Sequence, residues 1–319
     1  MNEASWAPSA SIETLRARAV LLRAIREFFH RRGVMEVDTP ALSRCGTVDR
    51  HIDSFEVPGA GWLHTSPEFA MKRLLAAGSG PIFQLCHVFR DEPAGRLHQP
   101  EFMMLEWYRP GWDHHRLMDE LEQLVRQVVA ADIGKFERCT YREAFRRHAA
   151  LDPFTAPLAQ LRDGLSRHGV EPPSGIPADD AEDRDFWLDL WMAAVVGPRL
   201  GADTPCLIHD FPASQCALAR VREDDPPVAE RFELLWKGVE LANGFHELTD
   251  PVEQRRRFEA DAQWRRQHGK PTPLIDTKLL AALEAGMPAG AGVALGVDRL
   301  LLRALGHEQV AGTLPFALP

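Results

Sequence analysis

Two apolar stretches that flank a polar loop dominate residues 81–108. Both stretches alternate apolar and polar side chains with a period of two, which predicts two strands joined as a long hairpin. The alternation places Arg90 and Glu92 on one face of the first strand. On the second strand, four side chains share one face: Phe102, Met104, Glu106 and Tyr108. A face with a guanidinium, carboxylates and an aromatic ring is a poor hydrophobic core. Such a face predicts a binding surface for a nucleotide and an amino acid. The alternative is a solvent-exposed sheet face with a few ion pairs.

The composition limits the class of protein. The chain has 319 residues, of which 45% are apolar, so it can bury a full core in one large or two moderate domains. Its five cysteines are odd in number and lack C-x-x-C spacing, which disfavours a disulfide framework and structural zinc and favours a reducing cytoplasm. We expect no secretory signal and no membrane span. The net charge of −9 disfavours broad, non-specific binding to nucleic acid.

Local sequence patterns predict several other helices, a strand and an insertion. Residues 11–32 carry apolar side chains at steps of three and four, which predicts an amphipathic helix, and residues 34–38 then alternate like a strand. The segment Ser66-Pro67-Glu68 is a typical helix start, with Ser66 as the N-cap. Residues 112–150 are mainly helical by pattern. Residues 151–185 are rich in Pro, Asp and Gly and predict a variable insertion.

A second group of polar residues lies between Arg231 and Glu247. Its three glutamates recur every seven residues, as on a helix, but Lys237-Gly238 and Asn243-Gly244 are turn and bulge signals that break a helix. A two-residue turn at Lys237-Gly238 would pair Glu240 with Leu235 and place Glu233 diagonally across on the same face. Two such carboxylates suit Mg²⁺, which prefers oxygen ligands. Simple alternation puts Glu247 on the other face, and a bulge at Asn243-Gly244 would bring it back.

A glycine-rich strand forms a third group, residues 290–299. Glycine within a strand permits a ligand to approach the backbone closely. Arg299 begins the next predicted helix, where it can reach a phosphate. The glycine pattern alone is weak evidence for a ligand site. It becomes informative because all three groups occur in this order along the chain.

In that order, Phe89–Glu92 with Pro100–Tyr108, and then Gly292–Leu300, resemble motifs 2 and 3 of class II aminoacyl-tRNA synthetases, in particular the lysyl branch. The first helix and strand, closed by Pro40, resemble motif 1, which forms the dimer interface in that family. The resemblance implies an α+β fold: a single catalytic domain over residues 1–319, with an antiparallel sheet flanked by helices. It also implies ATP as a substrate and Mg²⁺ as a cofactor.

The resemblance assigns roles by matching position. Arg90 would hold the amino-acid carboxylate and the α-phosphate, and Arg299 the γ-phosphate, as the catalytic residues. Further ATP contacts would come from Asp91, Glu92, His98, Gln99, Phe102, Glu240, Leu241 and Gly296. Glu233 and Glu240 would hold Mg²⁺. The amino-acid pocket would comprise Ser66, Pro67, Glu68, Tyr108, Asn243, Glu247 and Ala294, with Glu68 at the amine and Glu247 and Tyr108 at the distal ε-ammonium.

Two substitutions relative to the lysyl enzymes indicate which branch of the family the chain resembles most. Ala294 stands where those enzymes have glycine, and Gln99 where they commonly have asparagine. The chain also starts almost at the first helix, so we expect no anticodon-binding domain. These features resemble the stand-alone paralogues that ligate (R)-β-lysine to a lysine of elongation factor P. They imply a cytoplasmic homodimer that uses β-lysine from a lysine 2,3-aminomutase and binds neither tRNA nor a membrane. The alternatives are a reduced lysyl-tRNA synthetase and a non-catalytic, synthetase-like regulatory subunit.

Overall fold

The computed structural model describes residues 6–129, 132–171, 173, 174, 176 and 183–318. The chain forms two compact units, which are described separately. The first comprises Met1–Asp132 and Glu247–Pro319, and the second Ile133–His246. The prediction of a single domain over the whole chain remains a prediction.

The described part of the chain contains nine α-helices and twelve strands. The helices are α1 Ile12–His30, α2 Glu68–Ala76, α3 His114–Val128, α4 Tyr141–Ala149, α5 Leu158–Gly164, α6 Arg184–Trp191, α7 Pro251–Gln267, α8 Thr277–Gly286 and α9 Val297–Leu305. The strands are β1 Met35–Glu36, β2 Leu42–Ser43, β3 Glu56–Val57, β4 Gly61–Leu63, β5 Ile82–Phe89, β6 Glu101–Pro110, β7 Glu137–Thr140, β8 Cys206–Pro212, β9 Val221–Arg222, β10 Val228–Trp236, β11 Val239–His246 and β12 Gly290–Gly296. This content, with strand pairs that are mostly antiparallel, confirms the predicted α+β class.

In the first unit, the main sheet has the order β1-β5-β6-β12. The pair β1·β5 is parallel, whereas β5·β6 and β6·β12 are antiparallel. The register of β5·β6 runs from Ile82 opposite Tyr108 to Phe89 opposite Glu101, which confirms the predicted hairpin. A separate three-stranded sheet has the order β2-β4-β3.

Helix α1 packs its apolar side on this sheet. The Ser11 hydroxyl caps the helix by accepting the Thr14 N–H at 3.1 Å. Phe29 is fully buried, and its ring stacks on Phe83 of β5 at 4.6 Å between centroids. At the other end, Arg18 forms a buried ion pair with Asp298 of α9, and the Asp298 carboxylate also accepts the Met103 N–H at 2.8 Å. One carboxylate therefore joins α1, α9 and the start of β6.

Helix α2 begins one residue later than expected. The sequence predicted Ser66 as its N-cap, but Pro67 is the cap and Glu68 is the first helical residue. That prediction was wrong by one position: Ser66 lies before the cap, and its hydroxyl donates to Glu106 at 2.6 Å. The hydroxyl still accepts the Glu68 N–H at 3.0 Å, so it supports the first turn from outside the helix.

In the second unit, the strand order is β11-β10-β8-β7, and β9 pairs with β10. The core of this unit includes side chains from the segment predicted as an insertion, for example Leu151, Leu161 and Leu165, packed with Trp187 and Trp191. Within residues 151–185, positions 172, 175 and 177–182 lie outside the described residues. Where it is described, the segment contributes to the core and is more than a surface loop.

The described helices include none that is long and apolar enough to cross a membrane.

Candidate active site

The sheet register of the first unit assembles one polar pocket. Strand β12 pairs with β6 so that Gly292 lies opposite Tyr108, and Ala294 opposite Glu106. Because directly opposed residues share a face of the sheet, these four positions line the same surface. Helix α2 and Glu247 supply the other walls, joined by Lys72.

Glu106 lies at the centre of this pocket. Its side chain is buried, and its two oxygens accept hydrogen bonds from the Ser66 hydroxyl at 2.6 Å and the Tyr108 hydroxyl at 2.5 Å. Burial, followed by the negative charge of Glu68, raises the pKa of Glu106 to about 8 in spite of both hydrogen bonds. At neutral pH without a ligand, this carboxyl group therefore holds a proton for much of the time.

A buried lysine joins the other two acidic groups. Lys72 Nζ lies 2.6 Å from Glu68 Oε1 and 2.6 Å from Glu247 Oε2. Burial raises the pKa of Glu247 to about 7, although the Lys72 ammonium opposes the shift. Burial alone would lower the pKa of Lys72, but the charges of Glu247 and Glu68 outweigh it and raise the pKa above its ordinary value. Lys72 is therefore a permanent cation in the pocket.

Gly292 is the position where the pocket needs glycine. A Cβ atom there would lie 2.3 Å from Cε1 of Tyr108 and 2.5 Å from Oε1 of Glu247. Real side chains do not approach so closely, so the absence of a side chain at Gly292 permits Tyr108 and Glu247 to converge.

The two predicted catalytic arginines lie at the ends of the motif 2 and motif 3 segments. Arg90 follows β5, and its guanidinium carbon is 5.1 Å from the centre of the Phe102 ring. Arg299 lies in the first turn of α9, and its Nε donates to the Leu97 carbonyl in the loop before β6 at 3.1 Å. The Gln99 side chain in the same loop is held by the backbone of Leu318, whose N–H it accepts at 2.9 Å. The loop is thus fixed beside both arginines.

The predicted metal carboxylates lie in the second unit. Lys237 and Gly238 have φ of 49° and 68°, as a two-residue hairpin turn requires, and Glu240 pairs with Leu235 as predicted. Burial, followed by the charge of Glu240, raises the pKa of Glu233 to about 7. The Arg231 guanidinium partly offsets this with a 2.5 Å ion pair to Glu233.

The expected bulge has a different position. Glu233 pairs with Asn243 and Leu234 with Ala242, but Leu235 pairs with Glu240, so the extra residue is Leu241. The prediction of a bulge at Asn243-Gly244 was wrong, because both of those residues pair regularly with β10. The bulge at Leu241 returns Asn243 to the face that carries Glu233, because the two residues pair directly.

The predicted residues therefore fall into two sets. The first unit holds Ser66, Pro67, Glu68, Arg90, Asp91, Glu92, His98, Gln99, Phe102, Tyr108, Glu247, Ala294, Gly296 and Arg299. The second unit holds Glu233, Glu240, Leu241 and Asn243. The sequence placed Glu106 on the predicted binding face and Gly292 in the glycine-rich strand but assigned neither a specific contact, and it missed Lys72. The spacing of four residues from Glu68 to Lys72 on a helix was the available signal for an ion pair.

Comparisons with known proteins identify the family of this chain. The family model described as tRNA synthetases class II (D, K and N) matches residues 6–318. A protein from Enterobacter named elongation factor P–(R)-β-lysine ligase is 48% identical over 99% of this chain and 98% of its own length. Proteins with the same name from Salmonella arizonae and Edwardsiella ictaluri are each 49% identical with the same coverage. The chain therefore belongs to the class II tRNA synthetase family, in the branch of these ligase relatives.

Proposed function

We propose that this protein is an ATP-dependent ligase that activates (R)-β-lysine and transfers it to a lysine of elongation factor P. One observation supports the amino-acid part of the proposal: three carboxylates, of which Glu106 and Glu247 are buried and Glu68 is partly buried, surround one cation, Lys72, among the described residues. An excess of buried negative charge is costly unless a cation compensates it. A substrate with two ammonium groups supplies that compensation. The names of the relatives support the choice of β-lysine and of the protein acceptor.

The first step joins the amino acid to AMP. An oxygen of the β-lysine carboxylate attacks the α-phosphorus of ATP, and pyrophosphate leaves. Arg90 would orient the carboxylate and the α-phosphate, and Arg299 would hold the γ-phosphate. Positioning and neutralisation of charge by such groups supply most of the catalysis in reactions of this kind. The stacking position of Phe102, beside Arg90, suits the adenine ring.

The second step forms an amide. The neutral ε-amine of the acceptor lysine attacks the carbonyl carbon of the adenylate, AMP leaves with the bonding electrons, and the nitrogen loses a proton. The enzyme needs no covalent nucleophile for this transfer. Its own task is to hold the adenylate in one orientation, for which Glu68, Glu247 and Tyr108 would bind the two ammonium groups.

The acidic pair of the second unit fits Mg²⁺. Glu240 lies opposite Leu235, two positions from Glu233 and on the same face, and both carboxylates offer oxygen ligands whose mutual repulsion a divalent cation would relieve. When bound, the ion would neutralise phosphate charge. Without it, the Arg231 guanidinium takes part of that role at Glu233.

A homodimer through α1 and β1 is part of the proposal. Val20 of α1 and Met35 of β1 are apolar residues that are 55% and 48% exposed. A second copy packed there would cover them. A lysine 2,3-aminomutase would supply the β-lysine.

Intact mass spectrometry tests the proposed acceptor. Elongation factor P, incubated with the protein, ATP, Mg²⁺ and (R)-β-lysine, is expected to gain the mass of one β-lysyl group on one lysine. Lysine tRNA under the same conditions is expected to remain uncharged. Efficient charging of tRNA without an adduct on the protein would instead support a reduced lysyl-tRNA synthetase.

The exchange of pyrophosphate into ATP tests whether the protein is an enzyme. We expect exchange that depends on a lysine-type amino acid, and a loss of about 10²–10³-fold in Arg90→Ala, as for other single charge-stabilising groups. Arg266→Ala is the matched control, because Arg266 is exposed on α7. No exchange with any diamino acid would favour the regulatory-subunit alternative, and equal rates for both variants would contradict the role of Arg90.

A further inference from the structure

Lys72 is a buried cation to which the proposed reaction assigns no step. Its side chain is only 2% exposed, and Nζ lies 2.6 Å from one oxygen of Glu68 and 2.6 Å from one oxygen of Glu247. Glu68 lies one helical turn before it on α2, whereas Glu247 follows β11 in the chain. The lysine therefore links two walls of the amino-acid pocket that have no other direct connection to each other among the described contacts.

The net charge of the pocket follows from its ionisable groups, and Cys86 on the neighbouring strand β5 adds none, because burial, followed by the charge of Glu106, raises the pKa of its thiol to about 12. Helix α2 supplies Glu68 and Lys72, strand β6 supplies Glu106 and the neutral Tyr108, and Glu247 completes the set. With all three carboxylates ionised and Lys72 protonated, the pocket has an excess of two negative charges. A diamino acid with two protonated amines carries two positive charges there, while its carboxylate faces Arg90.

We propose that Lys72 is a positioning residue that acts as an internal counter-ion: it holds the Glu68 and Glu247 carboxylates and sets the charge of the pocket to match two ammonium groups. This inference rests on the proposed function, because it assumes that a diamino acid binds here. Lys72 does not touch the reacting atoms. It acts through the two carboxylates that bind the substrate.

The protonation of the empty pocket supports this role. Because burial raises the pKa of Glu106 to about 8 and that of Glu247 to about 7, the pocket without substrate relieves its repulsion by binding protons near neutral pH. The substrate ammonium groups favour the ionised carboxylates and displace those protons. Affinity for the diamino acid therefore rises with pH between about 6 and 8 and then levels off, since both carboxyl groups are then already ionised.

Lys72→Met tests the role of the charge, because methionine keeps a long unbranched side chain. We expect the KM for the amino acid in pyrophosphate exchange to rise about 100-fold, as for loss of one partner from a buried charge pair, with the KM for ATP unchanged. The pH midpoint of kcat/KM is expected to move upward by about one unit, because the carboxylates lose the cation that favours their ionised form.

Arg73→Met is the matched control. It removes the same charge one position further along α2, from an exposed side chain, so its KM and pH midpoint should equal those of the wild type. Agreement between Lys72→Met and Arg73→Met in both measurements would overturn the inference. A wild type without amino-acid-dependent exchange would instead overturn the proposed function itself.

A measurement on the wild type keeps the inference testable if Lys72→Met does not fold. Calorimetric titration with lysine in two buffers of different ionisation enthalpy gives the number of protons released on binding. At pH 7 we expect about one to two, from Glu106 and Glu247. Binding of lysine without any release of protons would contradict the pocket charge that Lys72 is proposed to set.

Discussion

Gly292→Ala is the sharpest test of the amino-acid pocket, because the structure specifies which atoms the new methyl group meets. A Cβ at this position would lie 2.3 Å from Cε1 of Tyr108 and 2.5 Å from Oε1 of Glu247. Ordinary contacts between carbon atoms begin near 3.5 Å, so the tyrosine ring must move by about 1 Å or more. Both residues are only 3% exposed, which leaves them little room to move.

The size of the effect follows from the cost of overpacking. Inserting a methyl group into a well-packed site costs about 1–3 kcal/mol. If the binding free energy of the amino acid becomes less favourable by that amount, its KM rises by about 5- to 150-fold, because 1.4 kcal/mol corresponds to a factor of ten. The displaced ring would also disturb the hydrogen bond from Tyr108 to Glu106. The KM for ATP should change little, since the atoms nearest to the new methyl group belong to Tyr108 and Glu247 and not to Arg90 or Arg299.

Pyrophosphate exchange at varied lysine and varied ATP measures both constants, and urea unfolding measures any cost to stability. Gly312→Ala is the control, because its Cβ would meet only His307, at 3.5 Å, which is ordinary contact. An unchanged KM for lysine, with an unchanged free energy of unfolding, would refute the reasoning: Tyr108 and Glu247 would then not form the wall of the pocket.

Three further outcomes are expected. Ala294→Gly should shift the ratio of kcat/KM from β-lysine toward α-lysine by about 10- to 200-fold, since a methyl in the pocket discriminates by that amount, and an unchanged ratio would remove Ala294 from the pocket. Glu247→Gln should keep ATP binding but lose the preference for lysine over norleucine, because a neutral amide cannot balance a buried ammonium; intact selectivity would place the ε-ammonium elsewhere. Asp298→Ala should lower the free energy of unfolding in urea by about 3–5 kcal/mol, because it leaves Arg18 buried without its counter-ion, and a loss below 1 kcal/mol would contradict that account.

Local patterns determined much of this protein. The alternation of residues 81–108 predicted the hairpin of β5 and β6, and the Lys237-Gly238 turn correctly predicted Glu240 opposite Leu235. Such features depend on side chains a few positions apart, because the period of a strand and the conformation of a turn are properties of the local backbone. The resemblance in sequence to the synthetase motifs also identified the family.

Only the tertiary structure shows which positive charge lies beside the carboxylates of the pocket. The contact of Lys72 with Glu247 joins distant parts of the chain, and no local pattern contains it. The bulge at Leu241 likewise depends on how β11 pairs with β10. The raised pKa of Glu106 arises from burial beside other carboxylates, and burial is a property of the packed molecule, since it depends on every element that excludes water from the site.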